Sequence, residues 1–320
     1  MKILLTGSTG FVGKHILKAI DKTNSVVVLG RNRPDDYSGE FIEYDLKHMP
    51  DMGLHTQDVD VVIHSAARAH IMHDVSLDPL AEYRSVNTEA TLKLAKSAVD
   101  SGVKRFVFIS SIKVNGESTL NQYPFKSSDV PCFNDAYGQS KSEAERQLNK
   151  LAEETGLEVV IIRPTLVYGP GVKANFASLM NLVSKGVPLP FACITQNKRS
   201  FVSVTNLVDL IITCIDHPKA ANQTFLVSDD CDVSTSQMIR EMARALDKPR
   251  WQLPVPIWCY KLVGKLFNKS NVVDRLIGSL QVDISHTKEI LGWTPPQTLE
   301  EGFKKTAEAF LQSKKNSGKI

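Results

Sequence analysis

Tyr137 and Lys141 stand four residues apart in the stretch Tyr137-Gly-Gln-Ser-Lys141, a spacing able to do acid–base chemistry. On a helix, positions i and i+4 share a face, so the phenol and the ammonium would project onto one surface. A nearby cation stabilises phenolate and would draw the tyrosine pKa from about 10 toward neutrality. A phenol tuned in this way could take the proton of an alcohol while the adjoining carbon gives up hydride. Taken alone, the pattern arises often by chance as an ordinary surface pair. Here it follows Phe106-Val-Phe-Ile-Ser110-Ser111, an apolar strand signal ending in two hydroxyls able to hold the same alcohol oxygen.

Hydride needs an acceptor, and the first residues of the chain offer it a place. Ile3, Leu4 and Leu5 are an apolar run suited to a central strand, followed at once by Gly7, Gly10 and Gly13 and then by helical periodicity from Val12 to Ala19. A strand that turns through glycines into a helix gathers free N–H groups at the positive end of a helix dipole, which suits a pyrophosphate. The spacing is G-x-x-G-x-x-G, and its position between strand and helix is what gives it weight. Val26 to Gly30 predicts the second strand. It ends in Arg31-Asn32-Arg33, where a dinucleotide site usually carries an acid for the ribose hydroxyls. Two guanidinium groups there could clamp a 2′-phosphate, favouring NADP, or form a solvated basic loop; both readings stand. Phe41 to Leu46 predicts a third strand, with Asp45 at the adenine edge. Asp60 to His64 predicts a fourth, leading into the small residues Ser65-Ala66-Ala67, which would let a flat ligand approach or pack a helix tightly.

Leu80 to Val99 has helical spacing and stops at Gly102; it contains Asn87, Thr88 and Thr91. Residues 117–135 are polar and read as a loop. Tyr137 to Glu154 is a second long helix, and Val159 to Ile162 a sixth strand broken by Arg163-Pro164. Alternating strands and helices predict an α/β, Rossmann-type doubly wound parallel sheet, with ligands beyond the strand carboxyl ends. After residue 165 the rhythm changes. A turn at Gly169-Pro-Gly171, a helix from Phe176 to Val183, a loop from 188 to 200 and a late strand at Phe225 follow. The expected division is a dinucleotide-binding domain over 1–165, with strands around 201–228 contributing. A smaller, interleaved substrate domain would cover 166–315, and a tail 316–320.

A chain of 320 residues with 42% hydrophobic content can bury a full core. Thirty-eight basic against 35 acidic residues is too balanced for nucleic acid or an anionic membrane as the main partner. The five cysteines are scattered without C-x-x-C spacing, so neither zinc nor a disulfide framework is expected. His64, His70 and His73 have too few carboxylates around them for a metal and read as structural or cleft-lining. The chain starts directly on a strand signal, and no apolar run reaches about 18 residues, so no signal peptide or integral membrane segment is expected, and the location predicted is cytoplasmic. Ile257 to Phe267 is apolar with interspersed lysines. It reads first as a helix packed over a ligand or against another subunit, and second as a segment touching a membrane.

Taken together, the motifs resemble the extended short-chain dehydrogenases of the nucleotide-sugar epimerase/dehydratase family. The resemblance rests on T-G-x-x-G-x-x-G at Thr6 to Gly13, Asp45-Leu46, His64-Ser-Ala-Ala67 and Asn87-Thr88. It continues through Ser110-Ser-Ile-Lys-Val-Asn-Gly116, Tyr137 to Lys141, Arg163-Pro-Thr-Leu-Val-Tyr-Gly-Pro-Gly171, Arg199-Ser-Phe-Val-Ser-Val and Leu291-Gly-Trp-Thr-Pro295. It implies Ser111 as catalytic serine, Tyr137 as base, and Lys141 as the residue binding the nicotinamide ribose. It implies that Gly7, Thr9, Gly10, Phe11, Val12, Gly13, Arg31, Arg33, Asp45, Leu46, Ala66, Ala67, Asn87 and Pro164 line an NAD or NADP site. Lys113, Asn175, Arg199 and, with a spacing to Asp283 unlike the family's, Arg275 would contact a nucleotide sugar. A homodimer is also implied.

Two departures narrow the reaction. The 4,6-dehydratases place Asp-Glu directly after the catalytic serine or threonine, where this chain has Ile112 and Lys113, so dehydration is disfavoured. Asn115 replaces the tyrosine usual in the serine loop, a variant most like the UDP-N-acetylhexosamine branch. The expectation is a 4-epimerase or 4-keto reductase acting at C4 of a UDP-sugar. The rival is a non-catalytic NADP sensor of the same fold; such proteins typically lose the tyrosine and lysine kept here.

Overall fold

The computed structural model of the chain describes residues 1–48, 58–69, 78–119 and 123–316. Seven parallel strands form the main sheet: β1 (Lys2–Thr6), β2 (Ser25–Gly30), β3 (Glu40–Glu43), β4 (Val61–His64), β5 (Arg105–Ile109), β6 (Glu158–Pro164) and, far along the chain, β9 (Gln223–Val227). Their order is β3-β2-β1-β4-β5-β6-β9, so the chain reverses its winding between β1 and β4. Strand residues alternate between the faces. Ile3 and Leu5 enter one hydrophobic cluster and Leu4 the other. Helices α1 (Phe11–Ile20) and α6 (Val204–Asp216) cover the first face, and α3 (Ala90–Asp100) and α4 (Ala136–Thr155) cover the second.

A second sheet joins β7 (Leu166–Tyr168), β8 (Arg199–Ser203) and β10 (Asp232–Val233) in the order β10-β8-β7. Around it lie α5 (Ala174–Ser184), α7 (Thr235–Ala245), α8 (Ile257–Leu266), α9 (Ser270–Ile277) and α11 (Leu299–Asn316), whereas α10 (Ser285–Leu291) packs on β9 of the main sheet. Tyr168 binds this region together: its ring stacks on Phe303 and Phe176, and its hydroxyl donates to Asp229 at 2.7 Å.

Three expectations change. The third strand ends at Glu43, because the Asp45 carboxylate accepts the Lys47 N–H and turns the chain into a 3₁₀ turn at Leu46–His48. The sixth strand is not broken at Arg163-Pro164. The carbonyl of Ile162 bonds Ser110 on the β5 side, so Pro164, two residues on, presents its missing N–H to the side where β5 has ended. The long helix over residues 80–99 is divided into α2 (Pro79–Arg84), one π turn (Ser85–Glu89) and α3. That π turn aims the polar side chain of Asn87 into the interior, a common device where function needs an off-register residue.

Candidate active site

The reversal between β1 and β4 opens a crevice at their carboxyl ends, and the glycine turn sits at its mouth. Gly7 has φ +74, and a Cβ there would meet the Ala66 nitrogen at 2.5 Å. A Cβ on Gly13 would meet the Gly7 carbonyl oxygen at 2.0 Å. The ends of β1 and β4 are stitched together: Ser65 Oγ donates to the Thr6 carbonyl (2.7 Å) and the Ala66 N–H to Thr6 Oγ1 (3.3 Å). Gly10, the N-cap of α1, offers no side chain to the helix. Among the described residues nothing bonds the N–H groups of Phe11, Val12 and Gly13, which open the first turn. An exposed glycine edge (Thr9, Gly10) beside free helix-end donors fits a diphosphate. The residues present therefore fit a dinucleotide.

The other residues expected at that site divide into open and internally bonded. Arg31 is exposed at the end of β2. Arg33 holds its own loop: Nη1 donates to the carbonyls of Tyr37 (3.1 Å) and Gly39 (3.0 Å), and the guanidinium lies over the Phe41 ring. Asp45, Leu46 and Ala66 are half-buried and Ala67 is exposed, whereas Pro164 is buried. Asn87 is fully buried, its amide bonding both backbone groups of Arg68 and the hydroxyl of Ser140. It ties the segment after β4 to α4 and leaves no atom facing the cleft.

His64 is structural. It is buried between Thr6 Oγ1 (2.7 Å) and Thr91 Oγ1 (2.9 Å) and stacks on Phe108. Burial, with Lys141 adding to it, lowers its pKa to about 3. An unfolded chain takes up this proton below about 6.5, the folded chain only near 3, so stability present above pH 6.5 is lost as pH falls through that window. The loss has an upper bound of about 5 kcal/mol. His64→Gln should flatten the acid limb of stability against pH between 6.5 and 3, measured by urea unfolding at stepped pH. An unchanged slope would show that the ring is not held neutral. His70 and His73 lie outside the described residues.

At the carboxyl end of β5 the chemistry-bearing residues meet. Ser111 caps the 3₁₀ turn Ile112–Val114, its Oγ accepting the Lys113 N–H at 3.2 Å, and its hydroxyl also bonds the Tyr137 phenol. Asp135 is the N-cap of α4, accepting the Gly138 N–H at 2.7 Å, and so sets where Tyr137 begins its turn. Lys113 fastens this cap to the serine loop by ion pairs with Asp135 and Glu117. Tyr137 lies edge-on to Tyr83 of α2, with ring centroids 6.1 Å apart.

The phenol does not have the tuning that the spacing suggests. Burial first, opposed by the Ser111 bond and reinforced by Asp135 and Tyr83, pushes its pKa up to about 12. Lys141 is not among these influences. Its buried ammonium donates to the Ile109 carbonyl at 2.8 Å and lies 4.3 Å from the Phe108 ring centroid. Burial brings its pKa down to about 7 against the opposing pull of Glu145. The lysine thus pins α4 to the last residue of the strand that delivers Ser110 and Ser111.

Sequence reasoning missed the partner one turn further along α4. Glu145 is buried against Arg163, with Nε at 3.0 Å and Nη2 at 2.5 Å, and it accepts a bond from Ser110. Arg163 Nη1 continues to Asn115 Oδ1 (3.0 Å), and Asn115 Nδ2 to the Lys126 carbonyl (2.9 Å). The signal was present as the i+4 continuation Tyr137, Lys141, Glu145.

Away from this centre, Arg199 opens β8 half-buried, its Nη1 on the Arg275 carbonyl at 2.5 Å. Burial and the like charge of Arg275 lower its pKa, and among the described residues no carboxylate pairs with it. Two guanidinium groups thus stand side by side, with no described carboxylate paired to Arg199. Asn175 lies in the first turn of α5, with its side chain outside the described residues. Among the described residues no group of acids, cysteines and histidines could hold a metal, and no helix is long and apolar enough to cross a membrane.

Comparison with known proteins gives this arrangement a context. A family model described as NAD dependent epimerase/dehydratase family matches residues 3–228. A UDP-glucose 4-epimerase of Vibrio cholerae is 65% identical over 314 residues, covering 97% of this chain and 96% of that protein. An N-acetyl-alpha-D-glucosaminyl-diphospho-ditrans,octacis-undecaprenol 4-epimerase of Escherichia coli O157:H7 is 27% identical, covering 98% and 97%. A solved UDP-glucose 4-epimerase of Thermotoga maritima superposes with a TM-score of 0.78 over 98% of this chain and 99% of that one, at 23% identity.

Proposed function

The chain belongs to the NAD dependent epimerase/dehydratase family, and from that membership we propose that it inverts C4 of a UDP-sugar, UDP-glucose and UDP-galactose being the first pair to test. The observation that carries the reading is the 65% identity, along 97% of the chain, to a UDP-glucose 4-epimerase. NAD or NADP at the glycine crevice would supply the two-electron acceptor and donor that the sugar carbon requires. Tyr137, in its ionised form, takes the 4-hydroxyl proton and later returns one, Ser111 holds the same oxygen, and Lys141 fixes α4 against β5 while facing the dinucleotide ribose. Arg199 and Arg275 hold the diphosphate as the pivot about which the sugar turns its other face. Lys113, bonded to Asp135 and Glu117, positions the tyrosine turn and borders the sugar. A cytoplasmic location and a homodimer belong to the same proposal.

A 4-keto reductase is the second reading, favoured by the missing acid after β2. The non-catalytic sensor is unsupported, since Ser111, Tyr137 and Lys141 are all present and the relatives above are enzymes. One assay tests these readings. The purified protein is incubated with UDP-glucose, UDP-galactose, their N-acetylhexosamine counterparts and a 4-keto-6-deoxy donor, with and without NADPH, and the products are resolved by NMR. Equilibration of a C4 pair without net cofactor consumption supports the epimerase; stoichiometric NADPH oxidation with the keto donor alone would replace it by the reductase.

Arg199→Ala should weaken UDP-sugar binding by roughly 10- to 150-fold, the equivalent of one charge-assisted contact of about 1.5–3 kcal/mol, with dinucleotide affinity little changed. Equal losses for both ligands by calorimetry would make Arg199 structural. Arg31 is the guanidinium still open to a 2′-phosphate, because Arg33 is bonded to its own loop. Wild type should bind NADPH at least as tightly as NADH. Arg31→Asp should shift that ratio toward NADH by tenfold or more, about 1.4 kcal/mol. Fluorescence titration of both cofactors checks it; a ratio unmoved by the substitution would show that Arg31 faces only solvent.

A further inference from the structure

Helix α8 turns an apolar strip away from the protein, while Val273, Leu276 and Ile277 of α9 pack inward. Trp258, Leu262 and Leu266 follow one another at four-residue steps along α8 and are 65%, 60% and 77% exposed, and Phe267 beyond them is 67% exposed. The inward side is different. Gly264 is the buried residue of α8, and a Cβ there would stand 2.7 Å from Val273 Cγ2, so α9 closes directly on the backbone of α8. Tyr260 stacks on Phe191 at 6.4 Å and holds the pair to the C-terminal cluster. The outward stripe is therefore presented by a firmly seated element.

Charge accompanies the stripe. Lys261 and Lys265 also step by four residues, and at 100° per residue they run along one border of the apolar strip, while Lys269 follows as the N-cap of α9. All three are exposed, and none forms an ion pair with a described carboxylate. From Trp251 to Arg275 the chain has four basic residues and one acid, Asp274. An apolar strip bordered by unpaired lysines suits one kind of surface. Lysine stems can lie along acyl chains while the ammonium groups reach phosphates, and a tryptophan ring fits the water–lipid boundary. No described helix can span a bilayer.

We infer that the α8–α9 pair is a docking face for an anionic phospholipid bilayer, on which the protein lies with its apolar strip in the headgroup region. The inference goes beyond the proposed reaction and does not depend on it. It also has a geometric consequence. Arg275 lies on α9 and its carbonyl receives Arg199, so the two guanidinium groups would be held beside the lipid surface.

The full chain should co-sediment with vesicles of phosphatidylglycerol and phosphatidylethanolamine, less so as salt is raised, and poorly with phosphatidylcholine alone. Lys261→Glu, Lys265→Glu and Lys269→Glu combined should lower the partition coefficient by about 100-fold, each lysine near an anionic surface contributing roughly fivefold. Trp258→Ser with Leu266→Ser should lower it as well. Both variants should keep wild-type thermal unfolding and wild-type turnover of soluble nucleotide sugar, which separates loss of docking from loss of fold. Absence of binding to the anionic vesicles at low salt, or binding that the lysine reversals leave intact, overturns the inference. So does a solution dimer that Trp258→Ser with Leu266→Ser converts to monomer, since the strip would then belong to a second copy.

Discussion

Tyr137→Phe should lower turnover on a UDP-sugar by about 10²–10⁴-fold, the range for removing a positioned proton-transfer group, while cofactor affinity stays near wild type. The phenol is the group on α4 that bonds the Ser111 hydroxyl, so an alcohol oxygen entering beside it would meet both. In the structure its pKa is pushed up to about 12 by burial, so at neutral pH it holds its proton. Of the influences on it, the Ser111 bond alone favours phenolate. Ser111→Ala should therefore also slow the reaction, and should move the ascending limb of its pH profile to higher pH. Lys141→Met should fail differently, because its ammonium is a strut between α4 and Ile109 as well as a charge. Cofactor KM should rise along with the fall in kcat. Steady-state kinetics with calorimetric cofactor titration distinguish these cases; near-wild-type turnover by Tyr137→Phe would refute the assignment.

Glu145→Ala should be the most destabilising single change near the site, by about 3–5 kcal/mol, since it leaves Arg163 charged, buried and unpaired. Both members of the pair are almost wholly buried, at 4% and 5% exposure, and the carboxylate also receives the Ser110 hydroxyl. The melting temperature should fall by roughly 10 °C, at 2–4 °C per kcal/mol for a larger domain. Adding Arg163→Met should recover much of the loss, because replacing both partners of a buried ion pair by apolar groups is often close to neutral. Activity should not recover with it. Asn115, and through it the loop at Lys126, would lose the guanidinium that anchors them beside the serines. Thermal unfolding of the single and double variants checks this; a double variant as unstable as the sum of both singles would show that the pair is uncoupled.

Much of the fold could be read along the chain, because its signals are local. Apolar runs bounded by glycine or serine mark β1, β2, β4 and β5, and an i, i+4 pair places Tyr137 and Lys141 on one helix face. What escaped the reading depends on partners far away in sequence. Nothing local in Asn87-Thr88 reveals that both side chains reach Ser140, which is why one helix was expected where a π turn intervenes. Arg163-Pro164 looks like a strand break until the register shows that β5 has already ended beside it. The pKa of Tyr137 was misjudged for a similar reason. Spacing puts the ammonium on the same face, but its direction is decided by the free carbonyl of Ile109 and the ring of Phe108.

The glycines of the first turn have a bearing on how such chains drift over generations. At Gly7 and Gly13 a side chain would collide with backbone of the protein's own, the Ser65–Ala66 segment in one case and the Gly7 carbonyl in the other. At Gly10 the tightest contact is 3.1 Å to that same carbonyl, which a small shift relieves. Two of the three positions are thus conditions for closing the chain, and the exposed third answers chiefly to whatever is held above it. A duplicated gene released from its ligand would still be purged of substitutions at 7 and 13, while position 10 accumulated them. In a descendant of this lineage, Gly10 together with Tyr137 would be the informative test of a working enzyme, and the outer two glycines would testify only that the sheet still folds.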